Sequence, residues 1–224
     1  MNLTDLHRRL LHDVLAAGRE YPLALTGGYA VQAHGLVHRL SQDLDVATEN
    51  PGPMEEIVAT VRTELEHRGW TVRTRDADPL SARLLVADPA SGEQCEVDIL
   101  KEVLWAPLAH TAHGLTLSLQ DVVGTKIRAL ADRGLARDLI DAHAAAERWS
   151  APELEELGRR HARDEFDLRE LQARLVGVEW IDDEEFEAYG LDEDHIMALR
   201  RWAQNWADDI GERLQEIEAP HEVD

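Results

Sequence analysis

The sequence predicts an α+β (mixed α/β) domain followed by an all-helical C-terminal region, and three observations lead to this prediction. Short apolar or alternating segments typical of strands lie between amphipathic helices in the first 148 residues. Turn residues such as Pro51-Gly52-Pro53 separate these segments. From Trp149 onward, the apolar residues recur with helical spacing. We therefore expect one domain at residues 1–148 and an acidic, all-helical domain at residues 149–224.

The elements are predicted from periodicity, caps and breakers. Ser118, with Asp121 three residues later, marks a helix start, and Gly134 marks its end. Pro152 is an early proline that begins the first C-terminal helix. The predicted strands are residues 23–25, 43–47, 70–75, 82–87 and 95–100. The main predicted helices are residues 3–18, 29–36, 54–68, 118–133, 135–148 and a long one from about 192.

The charge of the chain is strongly negative and uneven. It has 23 Lys and Arg residues against 45 Asp and Glu residues, a formal net charge of −22. Residues 1–148 carry a net charge of −7 and residues 149–224 a net charge of −15. Such a field repels phosphodiester backbones, so a long nucleic-acid footprint is disfavoured without a local basic patch, and no DNA partner is expected. Solubility alone explains most of this acidity.

The compartment is predicted from what the sequence lacks. No stretch approaches the roughly 18 apolar residues of a membrane span. The first residues show no basic segment followed by an apolar run, as an export signal would. Cys95 is the only cysteine, which excludes an intramolecular disulfide and a multi-cysteine metal site. We expect a cytoplasmic protein with no membrane partner, and a Cys95 side chain packed within a strand.

Alternating acidic and apolar residues define a candidate metal site. Asp43 and Asp45 are two residues apart in a predicted strand, so their side chains share one face. Adjacent carboxylates are unfavourable without a cation, and Mg²⁺ binds oxygen ligands while leaving positions for phosphates. Asp98 adds a third carboxylate if its strand pairs beside the first, which is enough for two metal ions. Glu96 shares that face and is the alternative, but two apolar residues follow Asp98 directly, so we prefer Asp98.

Three further segments carry candidate functional residues. A strand, Gly27-Gly28 and a helix can present backbone N–H groups to a phosphate, or form an ordinary turn. Lys126 lies at the margin of an apolar helix face, where it either reaches into a cleft or extends past the core into solvent. Asp138 and Asp141 share one side of the next helix; alternatively, they are surface acids bound to a neighbouring arginine.

Together these residues resemble a known family. Gly-Gly, a helix and the run Arg39-x-Ser41-x-Asp43-Leu44-Asp45 resemble the first motif of the DNA polymerase β-like nucleotidyltransferases. Within that superfamily the pattern resembles the AbiEii/AbiGii-type (MenT-like) toxins. The likeness covers roughly residues 20–148. Three later matches complete it: Asp98 resembles the third metal carboxylate, Lys126 the nucleotide-binding lysine, and Arg137-Asp138-x-x-Asp141 the last motif.

The resemblance implies a nucleotidyltransferase-fold sheet flanked by helices, and transfer of a nucleoside monophosphate from a nucleoside triphosphate to an acceptor hydroxyl. The implied metal is Mg²⁺ at a two-metal site, with Mn²⁺ as the alternative. Its ligands would be Asp43, Asp45 and Asp98, of which Asp98 also helps to deprotonate the acceptor. Lys126 would neutralise the triphosphate, and Asp141, preferred over Asp138, would orient that lysine or contact the nucleobase or acceptor. The implied nucleotide-binding residues are Gly27, Gly28, Arg39, Ser41 and Lys126.

The implied acceptor is the 3′ end of a tRNA, and the implied setting is a type IV-like toxin–antitoxin system with a cognate antitoxin. Two other functions stay open. A small-molecule nucleotidyltransferase of the aminoglycoside type would use the same metal site, and the acidic C-terminal half suits a cationic drug better than RNA. A non-catalytic acidic binding protein is the other, but it would have no need of three carboxylates together with Lys126.

Overall fold

A computed structural model describes residues 3–18, 20–39 and 41–218. The chain forms two compact units, one ending at Val122 and one beginning at Val123. The first unit contains α1 (Asp5–Ala17), β1 (Ala24–Leu25), α2 (Gly27–Ala33), β2 (Leu44–Thr48), α3 (Met54–His67), β3 (Thr71–Ala77), β4 (Ser81–Ala87), β5 (Gln94–Lys101), β6 (Ala109–Thr111), β7 (Gly114–Thr116) and the start of α4 (Leu119–Arg133).

The seven strands form one mixed sheet with the order β3-β4-β5-β2-β1-β7-β6. Pairing is parallel between β2 and β5 and between β1 and β7, and antiparallel elsewhere. The mixed α/β fold class is thus confirmed, and all five predicted strands are present. The β6–β7 hairpin was not predicted, because each of its strands has only three residues and shows no readable alternation.

The two faces of the sheet differ in polarity. Leu84 and Val86 of β4, and Val97 and Ile99 of β5, have no exposed surface and form the core face. The residues between them in both strands are half-buried or exposed. Because side chains alternate between faces along a strand, Asp98 belongs to this second, polar face. The polar face is therefore where the candidate site lies.

Ser118 and Gly134 mark the two ends of α4, as predicted. Ser118 Oγ accepts a hydrogen bond from the backbone N–H of Asp121, 3.0 Å away, and donates to the Asp121 carboxylate. Gly134 has a φ of +63°, a conformation that ends a helix at little cost for glycine. The same Asp121 carboxylate accepts from the backbone N–H groups of Trp105 and Ala106, and so holds the loop after β5.

Apart from one 3₁₀ turn, the described elements of the second unit are α-helices, in agreement with the predicted helical C-terminal region. One of its ion pairs joins Glu155 to Arg213, 2.5 Å apart, and Glu155 also accepts a hydrogen bond from Trp206 Nε1. The predicted functional boundary after residue 148 remains a proposal. The elements are the rest of α4, α5 (Ala136–Ala145), α6 (Ala151–His161), α7 (Leu168–Val176), a 3₁₀ turn (Gly177–Trp180), α8 (Asp183–Glu187) and α9 (Glu193–Glu218).

In the described part of the chain, no helix has both the length and the apolar character needed to cross a membrane.

Cys95 is buried in β5, and burial raises the pKa of its thiol to about 12, as expected for a packed residue.

Candidate active site

Three aspartates meet on the polar face of the sheet. Because β2 pairs in parallel with β5, Asp45 lies directly opposite Asp98. Asp43 precedes β2, which begins one residue later than predicted, and its carboxylate joins the pair. One ligand oxygen of each residue lies within 4.8 Å of the others, and all three residues are half-buried. We call Asp43, Asp45 and Asp98 the carboxylate cluster.

The donor set of the carboxylate cluster fits a divalent cation. Three oxygen ligands on rigid strands, partly open to solvent, are what Mg²⁺ binds, and their mutual repulsion falls when a cation is present. Within the described part of the chain, no other group of three potential metal ligands comes this close together. Glu96, the alternative to Asp98, lies opposite Leu85 and is not a member of the cluster.

The Gly-Gly turn approaches the cluster closely. Gly27 has a φ of +62°, and a Cβ added there would lie 1.8 Å from Asp45 Oδ2. A Cβ added at Gly28 would lie 2.7 Å from Ser41 Oγ and 3.3 Å from Arg39 Nη1. Any larger residue at either position would thus displace a predicted site residue. The sequence predicted these residues as one group, and the fold brings them together.

Ser41 connects this turn to the carboxylate cluster and to the core. Its hydroxyl donates to Asp43 Oδ1 at 3.0 Å, and its carbonyl accepts from the Tyr29 hydroxyl at 2.9 Å. His7 of α1 contacts the same hydroxyl through Nδ1. Burial raises the pKa of Tyr29 to about 12 and lowers the pKa of His7. Both shifts favour the neutral forms, and the contacts of the two side chains hold the Ser41 segment.

The positioning role of His7 and Tyr29 was not predicted. His7 lies at helical spacing from the apolar residues Leu3, Leu10 and Val14. This spacing could have indicated that His7 is buried with them. Tyr29 carries no such signal, since its partner Ser41 lies 12 residues further along the chain.

Arg83 is the second feature that the sequence did not reveal. It lies directly opposite Asp98 on β4. Its Nε and Nη2 donate to the two oxygens of Asp98, each at 2.7 Å, and its Nη1 is 3.4 Å from Glu96 Oε2. These hydrogen bonds raise the pKa of the Arg83 guanidinium. One member of the carboxylate cluster is thus held by a bidentate arginine, the strongest geometry for such a pair.

The remaining predicted residues lie in the second unit. Lys126 Nζ is 2.9 Å from Asp141 Oδ2; 10% of the lysine side chain and none of the aspartate side chain is exposed. Asp138, equally buried, accepts from Nε and Nη2 of Arg133 at 2.8 and 3.0 Å. The alternatives that placed Lys126 and the two aspartates at the surface are therefore wrong, although Asp138 does bind Arg133. The lysine pairs with Asp141, the aspartate preferred from sequence.

Solved structures share this fold. JHP933 from Helicobacter pylori is 18% identical and aligns with a TM-score of 0.53 over 97% of this chain and 99% of its own. MenT4, a nucleotidyltransferase toxin from Mycobacterium tuberculosis H37Rv, is also 18% identical and aligns with a TM-score of 0.62 over 92% of this chain and 82% of its own. At this identity the likeness establishes the fold. No match was found among the curated proteins.

A family model gives the assignment that the structural neighbours alone do not. Residues 9–219 match the family described as "Nucleotidyl transferase AbiEii toxin, Type IV TA system". The resemblance inferred from the motifs in roughly residues 20–148 is thereby confirmed, and the family match extends beyond it through the α-helices that follow residue 148. The chain belongs to the AbiEii nucleotidyltransferase toxin family of type IV toxin–antitoxin systems.

Proposed function

We propose that this nucleotidyltransferase moves a nucleoside monophosphate from a nucleoside triphosphate to the 3′-terminal hydroxyl of a tRNA, at a site built on Asp43, Asp45 and Asp98. The observation that carries this proposal is the carboxylate cluster, whose ligand oxygens lie within 4.8 Å of one another. These residues would hold Mg²⁺, or Mn²⁺ as the alternative. When bound, the ions would polarise the phosphoryl oxygens and neutralise charge as pyrophosphate leaves.

The residues around the cluster divide the remaining tasks. The absence of side chains at Gly27 and Gly28 leaves their backbone N–H groups accessible to phosphate oxygens. Ser41 orients Asp43 through its hydroxyl, which donates at 3.0 Å. Arg39 supplies a buried positive charge beside Gly28, where triphosphate charge would be stabilised. Asp98, on β5 beside the central strand β2, would accept the proton of the attacking acceptor hydroxyl at one of its oxygens.

Lys126 belongs to the second unit, and its proposed role rests on the resemblance. It would neutralise the triphosphate, and Asp141 would orient it. Their 2.9 Å ion pair supports the second of these roles, since a buried ammonium group on a flexible four-carbon stem needs a fixed partner. Asp138, which binds Arg133, has no part in the proposed chemistry.

Two acceptors compete in this proposal. The resemblance drawn from the sequence motifs favours a toxin that modifies tRNA. The net charge of −22 favours a cationic small molecule of the aminoglycoside type. Both would use the same carboxylate cluster, so the acceptor and not the reaction distinguishes them.

The experiment supplies each α-labelled nucleoside triphosphate with Mg²⁺, and either total tRNA or a panel of aminoglycosides. We expect label to enter tRNA, and Asp45→Asn to abolish transfer without lowering the melting temperature, because it removes one of three crowded charges. Label entering only the drugs would refute the tRNA acceptor and leave nucleotidyl transfer intact. Transfer by Asp45→Asn at the wild-type rate would refute the site.

The proposed setting is the cytoplasm, with a cognate antitoxin that relieves toxicity. Growth arrest on expression of wild type, but not of Asp45→Asn, is the expected outcome. Relief of that arrest by a gene adjacent to the coding sequence would identify the antitoxin. Equal growth arrest by both proteins would show that toxicity does not depend on nucleotidyl transfer.

A further inference from the structure

Charged residues form a row across four strands of the polar face. The register places Asp45 opposite Asp98, Asp98 opposite Arg83, and Arg83 opposite Asp76. Arg83 is the single cation in this row of four. Its fork holds both oxygens of Asp98 at 2.7 Å, and 14% of the Asp98 side chain is exposed. The row therefore links the carboxylate cluster to the outer strands of the sheet.

The Arg83 bridge competes with any cation for Asp98. A divalent ion and a guanidinium on the same carboxylate repel each other, so binding of an ion by the complete cluster weakens the bridge. A bidentate arginine–carboxylate pair has directional hydrogen bonds that are lost when the carboxylate turns toward another cation. The structure shows Arg83 bound to Asp98. Binding of a metal ion by Asp98 would make the Arg83 guanidinium available to another partner.

A cavity lies beside the pair of Arg83 and Asp98. It has a volume of about 280 Å³ and is lined by Asp76, Ser81, Ala82, Arg83, Asp98 and Leu100. Arg83 is its one cationic side chain, and 47% of that side chain is exposed. The Ser81 hydroxyl is already used, since it donates to Asp78 at 2.6 Å. A guanidinium fork at the wall of such a cavity matches the oxygens of a phosphate group.

We propose that Arg83 is a substrate-binding residue that exchanges partners: it pairs with Asp98 in the metal-free protein and binds a phosphate oxygen of a substrate when Asp98 binds metal. This inference rests on the proposed function. The phosphate belongs either to the nucleoside triphosphate or to the backbone of the acceptor. Arg83 then couples metal binding to substrate binding, because acidic neighbours oppose a phosphate in this cavity until the charge of Asp98 is neutralised.

The first measurement is a calorimetric titration with Mn²⁺ in the absence of nucleotide. Arg83→Gln should bind Mn²⁺ about tenfold more tightly than wild type, because Asp98 no longer has a competing partner. Arg83→Lys, which keeps the charge but not the fork, should fall between the two. Arg73→Gln removes a charge from the same sheet face, opposite Leu85, and should change the affinity less than about twofold. Equal affinities in wild type, Arg83→Gln and Arg83→Lys would overturn the proposal, and melting curves will show that each variant is folded.

The second measurement determines the source of the phosphate. Saturating Mg²⁺ removes the competition for Asp98, so Arg83→Gln should raise the KM of the substrate that Arg83 binds by about tenfold or more. A rise for the triphosphate assigns the phosphate to the nucleotide, and a rise for tRNA assigns it to the acceptor. Arg62→Gln, on the exposed side of α3, is the control for both KM values.

Unchanged KM values for both substrates would refute the partner exchange while leaving the transferase reaction intact. Absence of labelled product with wild type would instead refute the proposed function. In that case the Mn²⁺ titration still tests whether Arg83 competes for Asp98.

Discussion

Replacing Gly27 with alanine should lower the metal affinity of this protein strongly while lowering its stability only slightly. The substitution adds one Cβ, with no change in charge. In the native backbone that atom would lie 1.8 Å from Asp45 Oδ2 and 2.4 Å from Asp45 Cγ. Both distances are well below the 3.5–4.0 Å at which non-bonded carbon atoms pack best, so the Asp45 carboxylate must move by more than about 1 Å.

Two energetic effects follow, and they differ in size. The φ of +62° at Gly27 costs an L-residue about 1–2 kcal/mol, of which about 0.4–1 kcal/mol is recovered through the less flexible unfolded chain. A net loss of about 1 kcal/mol lowers the melting temperature by about 2–4 °C in a chain of this size. Metal binding suffers more, because Mg²⁺ requires ligands at about 2.0–2.1 Å. We expect its affinity to fall by roughly 10–100-fold, as when a ligand loses its support.

Gly35→Ala is the matched control. Gly35 has a φ of +73°, and nothing lies within 4 Å of an added Cβ, so it shares the backbone strain without the contact to Asp45. Thermal melts and Mn²⁺ titrations of both variants separate the two effects. Both should lose a few degrees of melting temperature, and only Gly27→Ala should lose metal affinity. Equal Mn²⁺ affinities in the two variants would refute the reasoning that the turn positions Asp45.

Three further predictions follow from buried contacts. Lys126→Ala should destabilise the protein by about 3–5 kcal/mol, because it removes the cation that pairs with the buried Asp141 carboxylate at 2.9 Å. Denaturant unfolding measures this, and a loss below about 1 kcal/mol would contradict a stabilising buried ion pair. Tyr29→Phe removes the hydroxyl that donates to the Ser41 carbonyl, so it should lower the free energy of unfolding by about 1–3 kcal/mol and should also slow nucleotidyl transfer. Unchanged stability and unchanged transfer would exclude the positioning role of Tyr29. His7 has its pKa lowered by burial, so the unfolded chain binds its proton first, and stability falls as pH drops below about 6.5. His7→Gln should reduce the difference in melting temperature between pH 7.5 and 5.5; an unchanged difference would assign it to other groups.

The carboxylate cluster could be predicted because its signal is local. Alternation of acidic and apolar residues fixes the faces of strands β2 and β5 without knowledge of their register. The sequence did not show whether these two strands are neighbours. The structure shows that they pair in parallel and that Asp45 lies opposite Asp98. The preference for Asp98 over Glu96 agrees with the cluster geometry. Glu96 lies two residues before Asp98 on β5, opposite Leu85, and is not part of the cluster.

Arg83 could not be predicted for the opposite reason. Its partner Asp98 is 15 residues away, across a turn whose length sets which residues face each other. A shift of that register by one residue would move Arg83 to the core face, so alternation alone leaves its partner undetermined. The burial of Asp138 was missed for a similar reason: helical spacing shows that Asp138 and Asp141 share a side, but not what covers that side.

The net charge is a poor guide to the acceptor because the charges that matter are local. Exposed charges more than about 8 Å apart are largely screened at physiological ionic strength. Several acids are also neutralised internally, as Glu155 is by Arg213 at 2.5 Å and Asp138 by Arg133 at 2.8 Å. The three negative charges of the carboxylate cluster outnumber the single positive charge of Arg83. Without bound cations this part of the sheet would therefore repel phosphate. Under the proposed function, two bound divalent ions would reverse that sign at the place where phosphates must bind. An acidic protein can therefore bind a tRNA end and still repel nucleic acid elsewhere, which restricts it to short contacts made at the metal site.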